Sequence, residues 1–204
     1  MKNEQLVKLS DDFFQYSLDS SPTSAILRGH KSYFDKIEEI SEDQFNHETE
    51  LVNDAMEKLA SIDFNSLTNR EKVTHGMLEF ALSSQKDSLL DRGWEYSAGV
   101  IGFTGFLIDY NQQMFIPDLE SADLLLKRLE LYKRLYGQIS TVQKIGLDNN
   151  RVATERNLLR TIDQLENYLA TSLESDPLLL VNFSPQITEP QISNWKDAAK
   201  EIIQ

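Results

Sequence analysis

The sequence predicts an all-α fold, a multi-helix bundle or array of about six helices with one irregular segment rich in glycine and aromatics. Three observations predict it. Apolar residues recur at steps of three and four along most of the chain, the spacing that lines one face of an α-helix. Capping signatures at Ser41 and Thr68 open two of these stretches. Glycine or proline stands just beyond the ends of several others, where helices stop.

The first segment, about 3 to 19, places Leu6, Leu9, Phe13 and Tyr16 on one face and should end at Asp19-Ser20-Ser21-Pro22. A short turn at Ala25-Ile26-Leu27 follows. Gly29 can then take the left-handed conformation that closes a helix without a Cβ clash, and residues 29 to 40 are expected as loop.

Ser41-Glu42-Asp43-Gln44 has the form of a capping box, with Gln44 reaching back, ahead of Phe45, Val52, Met56 and Leu59. It predicts a helix over 42–60. Thr68-Asn69-Arg70-Glu71 repeats the device and predicts another over 69–91, with Val73, Met77, Phe80 and Ser84 on one face and Leu78, Leu82 and Leu89 on another.

Residues 93 to 117 break the pattern, because Gly93, Gly99, Gly102 and Gly105 are spread among Trp94, Tyr96, Phe103, Phe106, Tyr110 and Phe115. Glycine costs up to about 1 kcal/mol in a helix interior, so this density points to irregular structure or close backbone approach.

Asp118 to Ile145 is the strongest helix, with Leu125, Leu129, Tyr132, Tyr136, Ile139 and Val142 in one stripe and Leu124, Leu131 and Leu135 widening it. Gly146 is expected to stop it. The next helix, about 150 to 173, uses Val152, Leu159, Ile162, Leu165, Leu169 and Leu173 and should lie antiparallel against its predecessor. The tail carries Pro177, Pro185 and Pro190 around Leu178-Leu179-Leu180-Val181-Asn182-Phe183, before an amphipathic stretch from Gln191 to Ile203. That stretch has no terminal cap, as expected of a chain cut inside a helix.

A chain of 204 residues can bury a sizeable core without staples, and residues 1–204 read as a single helical domain. No cysteine is present, which removes thiol catalysis, thiolate zinc sites and disulfide frameworks. The net charge of −13 opposes phosphate backbones and anionic headgroups, so neither a nucleic acid nor a membrane is expected as partner. The charged N-terminus lacks the apolar stretch of a signal peptide, and a cytoplasmic protein is the simplest reading.

No complete catalytic, cofactor-binding or metal-binding motif occurs. His47-Glu48 opens like the zinc motif HExxH, but Leu51 stands where the second histidine belongs, and the pair reads as a solvated helix face. Arg28 and His30 around Gly29 form a weak candidate anion contact, although a helix C-terminus with the same residues complementing its dipole explains them better. The acidic pairs Asp11-Asp12, Glu38-Glu39 and Glu42-Asp43 point apart on a helix and read as solvated charge. Lys127, Arg128, Lys133 and Arg134, interrupted by Glu130, read the same way. Trp94, Tyr96, Phe103, Phe106 and Tyr110 have the best claim to a ligand or partner surface. Rings filling a core beside glycine-thinned backbone would give the same sequence, and that reading carries more weight.

Phe14-Gln15-Tyr16, Pro22-Thr23-Ser24-Ala25, Gly29-His30 and Tyr33-Phe34-Asp35 together resemble the opening of the bacterial domain-of-unknown-function family numbered 885. The order continues through Ser41, Leu67-Thr68 with Glu71, Trp94, Lys127-Arg128-Leu129, Gly146 and Arg151 to Gln164. This covers nearly the whole chain and corresponds to the family's N-terminal half. The resemblance implies a helical zinc metallopeptidase-like protein whose zinc motif and Pro-Gly-His element lie in a C-terminal half absent from this sequence. The chain is then expected to be non-catalytic by itself, to bind no zinc, and to partner that missing catalytic half and a peptide substrate. A stand-alone helical interaction module without enzymatic activity is the alternative.

Overall fold

The computed structural model describes residues 3–96 and 110–204. In chain order they form α1 (Glu4–Asp19), α2 (Pro22–Leu27), α3 (Glu42–Ala60), α4 (Asn69–Asp91), α5 (Leu119–Glu130), α6 (Tyr132–Asp148), α7 (Glu155–Leu169) and α8 (Glu189–Ile203). Two short strands, β1 (Phe115–Ile116) and β2 (Asn182–Phe183), complete the set. The architecture is an all-α multi-helix array, and among the described residues no helix is long and apolar enough to cross a membrane. Main-chain contacts divide the chain into one unit of Met1–Ser20 with Ile40–Gly93 and another of Ser21–Glu39 with Trp94–Gln204.

In the first unit, α1, α3 and α4 form a three-helix assembly whose interior holds Leu6, Leu9, Val52, Leu59, Leu78 and Leu82, each nearly inaccessible to water. The helix starts are built from side-chain caps, two of them, Ser41 and Thr68, legible in the sequence. Asn3 accepts from the Leu6 N–H at 3.0 Å, and Ser41 from the Gln44 N–H at 3.2 Å. The Gln44 side chain does not reach back to complete a box; it donates instead to Glu48 Oε1 at 3.0 Å. At Thr68 the full reciprocal box forms with Glu71. Glu71 also accepts the Asn3 N–H at 2.7 Å, so one carboxylate joins the starts of α1 and α4. That bond, with the Thr68 donors, lowers its pKa to about 2.

The second unit differs from expectation at several places. Residues 22–27 make a short helix rather than a turn, because Glu38 accepts the Thr23 N–H and hydroxyl, both at 2.9 Å, and satisfies an end that Ser21 leaves uncapped. The expected loop at 29–40 contains a 3₁₀ turn at Lys31–Tyr33, while Gly29 takes φ +90° just beyond α2. The long helix expected from Asp118 to Ile145 is interrupted at Leu131, whose N–H bonds the Arg128 carbonyl in a tighter i−3 step. Gly146 does not end it either. The helix runs on to Asp148 and turns off at Asn149 and Asn150, the latter at φ 58°.

The core of this unit lies along Leu125, Leu129, Tyr132, Leu135, Ile139 and Val142. The Trp195 indole of α8 donates to the Ala122 carbonyl of α5 at 2.9 Å, beside fully covered Ala199. The strands pair in parallel, Phe115 with Asn182 and Ile116 with Phe183, and the Phe183 ring meets Trp195 edge-on at 5.2 Å.

Candidate functional site

Most residues singled out in the sequence do not converge. Trp94 and Tyr110 are half-buried and Tyr96 is 36% exposed, whereas Phe103 and Phe106 lie outside the described residues. Arg28 is exposed at the C-terminal end of α2, and the half-buried His30 ring stands edge-on to Tyr33 at 6.3 Å. His47 is exposed on α3.

Glu48 departs from the expected solvated face. It is 8% exposed and accepts the Tyr16 hydroxyl at 3.1 Å, while Gln85 donates to that hydroxyl at 3.0 Å. Burial, and then the Glu48 charge, pushes the Tyr16 phenol above its ordinary range, so Tyr16 is a fixed hydrogen-bond donor. The arrangement holds a ring in place.

Arg128 departs further. Instead of joining a solvated basic cluster, its guanidinium is fully buried, donating to the Lys36 carbonyl and to Thr23 Oγ1, with Glu38 Oε2 at 3.6 Å. Glu38 is buried with it, and Glu39 pairs with Arg134 and Gln138, so this acidic pair is also not free in solvent. The sequence did contain the signal. Leu125, Arg128, Leu129 and Tyr132 follow helical spacing, which puts the arginine on the apolar stripe. Beside it, burial raises the Tyr132 pKa against the opposing pull of the Arg128 charge. These groups anchor the 21–39 segment to α5, a structural role.

The unusual surface of this unit is α7. It occupies 155–169 rather than 150–173, and the stripe read as core is largely uncovered: Leu159 is 55% exposed, Ile162 50% and Leu169 80%. Leu158 and Leu165 extend the same exposed face, and Thr161 is the helix's buried residue. Contiguous apolar surface of this kind is rare on a folded monomer. The first unit has a smaller counterpart, since Val73, Met77 and Phe80 on α4 are 62, 69 and 75% exposed, while Leu78, Leu82 and Leu89 on its other face are buried.

The contrast with α5 and α6 supplies a sequence signal for α7. Their apolar residues occupy two sides, whereas α7 is charged or polar everywhere outside one stripe. One stripe is compatible with either a core or a docking face. Among the described residues no group of three histidines, aspartates or glutamates comes together to hold a metal, so the residues present do not fit the zinc that the resemblance implies.

No match was found among the curated proteins or among the solved structures. Residues 22–204, from the first residue of α2 through α8, match the family described as "Bacterial protein of unknown function (DUF885)", and the chain belongs to that family.

Proposed function

We propose that this chain is the helical, substrate-cleft-forming part of a zinc metallopeptidase-like protein, non-catalytic by itself, whose exposed helix faces dock on a catalytic portion. The observation that carries the reading is the uncovered stripe of Leu158, Leu159, Ile162, Leu165 and Leu169 on α7. Full burial of an exposed Leu or Ile gains about 1.5–3 kcal/mol, and these side chains, 37–80% exposed, would each gain the corresponding fraction under a covering body. The peptidase character and the peptide substrate rest on the family resemblance alone, and no zinc step is assigned to these residues.

The test begins with the intact mass of the protein in its source cells, detected through an antibody to this segment. A mass more than about twice that of the chain, with the apolar-dye binding of the isolated 204 residues lost in the longer protein, supports the docking role. A native mass near 23.4 kDa removes the peptidase reading. A monodisperse chain of that mass, unfolding in one cooperative step, would instead be the stand-alone interaction module, with the same α7 face as its binding surface.

A further inference from the structure

A cavity of about 220 Å³ opens within the first unit between α1, α3 and α4. Its floor is apolar and closed: Leu9, Val52 and Leu82 are 5, 2 and 0% exposed. Phe13 and Tyr16 line it with ring centroids 5.8 Å apart and planes tilted by 36°. The bonds of the Tyr16 hydroxyl to Glu48 and Gln85 fix that ring from behind, so the aromatic lining is preorganised.

The rim carries two carboxylates, each paired with an ammonium group. Asp12 and Asp54 both line the cavity, and the cation beside them is Lys58. Lys58 bonds Asp54 at 2.5 Å, while Asp12 is held by Lys8 at 2.8 Å. The Asp54 hydrogen bond, the Asp54 charge and, less strongly, the Asp12 charge all raise the Lys58 pKa, so both carboxylates act on an ammonium at this position. The Lys58 side chain is 61% exposed and can swing into water.

We propose that this cavity binds a small organic ammonium ion, its single aromatic or branched alkyl group seated on Leu9, Val52 and Leu82 and its charge replacing that of Lys58 between Asp12 and Asp54. Aromatic faces and carboxylates both favour a cation, and neither favours an anion. The volume lies below the range of about 300–1,000 Å³ typical of drug-sized sites, which selects one ring and a short arm. The site is separate from the exposed α7 face and does not depend on the proposed docking role.

The experiment is a methyl-detected NMR titration of the 204-residue chain with phenethylammonium, with phenethyl alcohol and hydrocinnamate as neutral and anionic counterparts. The ammonium ion is expected to shift the Leu9, Leu51, Val52 and Leu82 methyls and to saturate with a Kd on the order of 1 mM. The alcohol should bind about tenfold more weakly and the carboxylate more weakly still. Lys58→Ala, which removes the resident competitor, should tighten the ammonium several-fold, and Asp12→Asn with Asp54→Asn should weaken it about tenfold. All three positions are exposed, so the fold survives these changes. Equal affinity for the three compounds, shifts centred away from these methyls, or no saturation by the ammonium ion would each overturn the assignment.

Discussion

Gly146 lies so close to the backbone of Glu95 that a β-carbon built on it would stand 2.2 Å from the Glu95 carbonyl oxygen and 2.8 Å from that of Arg151. Neither neighbour is a side chain that can rotate away. Gly146→Ala should therefore destabilise the chain by about 1–3 kcal/mol or more, the cost of forcing atoms into a filled site. Gly137, in the same helix, has open space where its β-carbon would be, and Gly137→Ala should stabilise by about 0.5–1 kcal/mol. Urea unfolding of the two variants should move in opposite directions with an unchanged slope.

Arg128 is the cation of a buried pair with three kinds of partner. Removing it as Arg128→Met leaves Glu38 charged and buried, and the loss should be about 3–5 kcal/mol. Adding Glu38→Gln should return part of that loss, because the orphan charge goes with it. A thermodynamic cycle over the two sites should therefore be non-additive; additive losses would contradict the pairing.

Acid should act through two carboxylates. Glu71 is held at about 2 chiefly by the Asn3 N–H, and Asp118 at about 2 chiefly by the Lys31 ammonium, against ordinary values of 4.5 and 3.8. A depressed folded-state pKa gives stability that is present above the unfolded value and lost as pH falls from 4.5 towards 2. Denaturant midpoints should fall across that window, less steeply in Glu71→Gln and Asp118→Asn. The Lys31 and Asp118 side chains are 60 and 41% exposed, so added salt should weaken their share in particular.

Base should act through the phenols. Burial first raises Tyr16, Tyr136 and Tyr168 above the ordinary value of 10.0. Unfolded tyrosines release protons that these retain, so stability should fall as pH rises above 10.0. Absorbance titration should find Tyr16, Tyr132, Tyr136 and Tyr168 ionising later in the folded chain than in urea.

The α7 stripe should behave as surface despite its composition. Leu159→Gln and Ile162→Gln should leave stability within about 0.5 kcal/mol, whereas Leu125→Ala, in the core, should cost about 2–5 kcal/mol. The same two substitutions should abolish most apolar-dye binding. A large stability loss at Ile162 would mean that this face is already covered.

The helices were legible where local chemistry decides them. Thr68 caps as its sequence implies, Ser41 caps without the expected return bond from Gln44, and α3 and α4 occupy the expected 42–60 and 69–91. The errors fall where a distant group intervenes. Glu38 caps the start of α2 from fifteen residues away, and the Glu95 carbonyl, not a helix stop, explains Gly146. Local spacing carries neither relationship. It also reports that a face is apolar without reporting what lies opposite, which is why the α7 stripe was expected to pack against the preceding helix and why spacing alone did not tell the two faces of α4 apart. Arg128 was the reverse case, a charge whose position on an apolar stripe outweighed its residue type.

The pairing of β1 with β2 also orders events in time. The hydrogen bonds from Asn111 to the Leu178 carbonyl and from Asn182 to the Gln112 carbonyl close loops of 67 and 70 residues. Chain ends that far apart meet at an entropic cost that precedes any gain, whereas a helix forms in about 0.1–1 μs from neighbouring residues. The helices between these positions therefore form first and shorten the search, and the two-residue seam zips after them. The Asn182 and Ser184 amide protons, bonded to the Met114 and Ile116 carbonyls, should therefore gain protection from exchange later than those of α5 and α6.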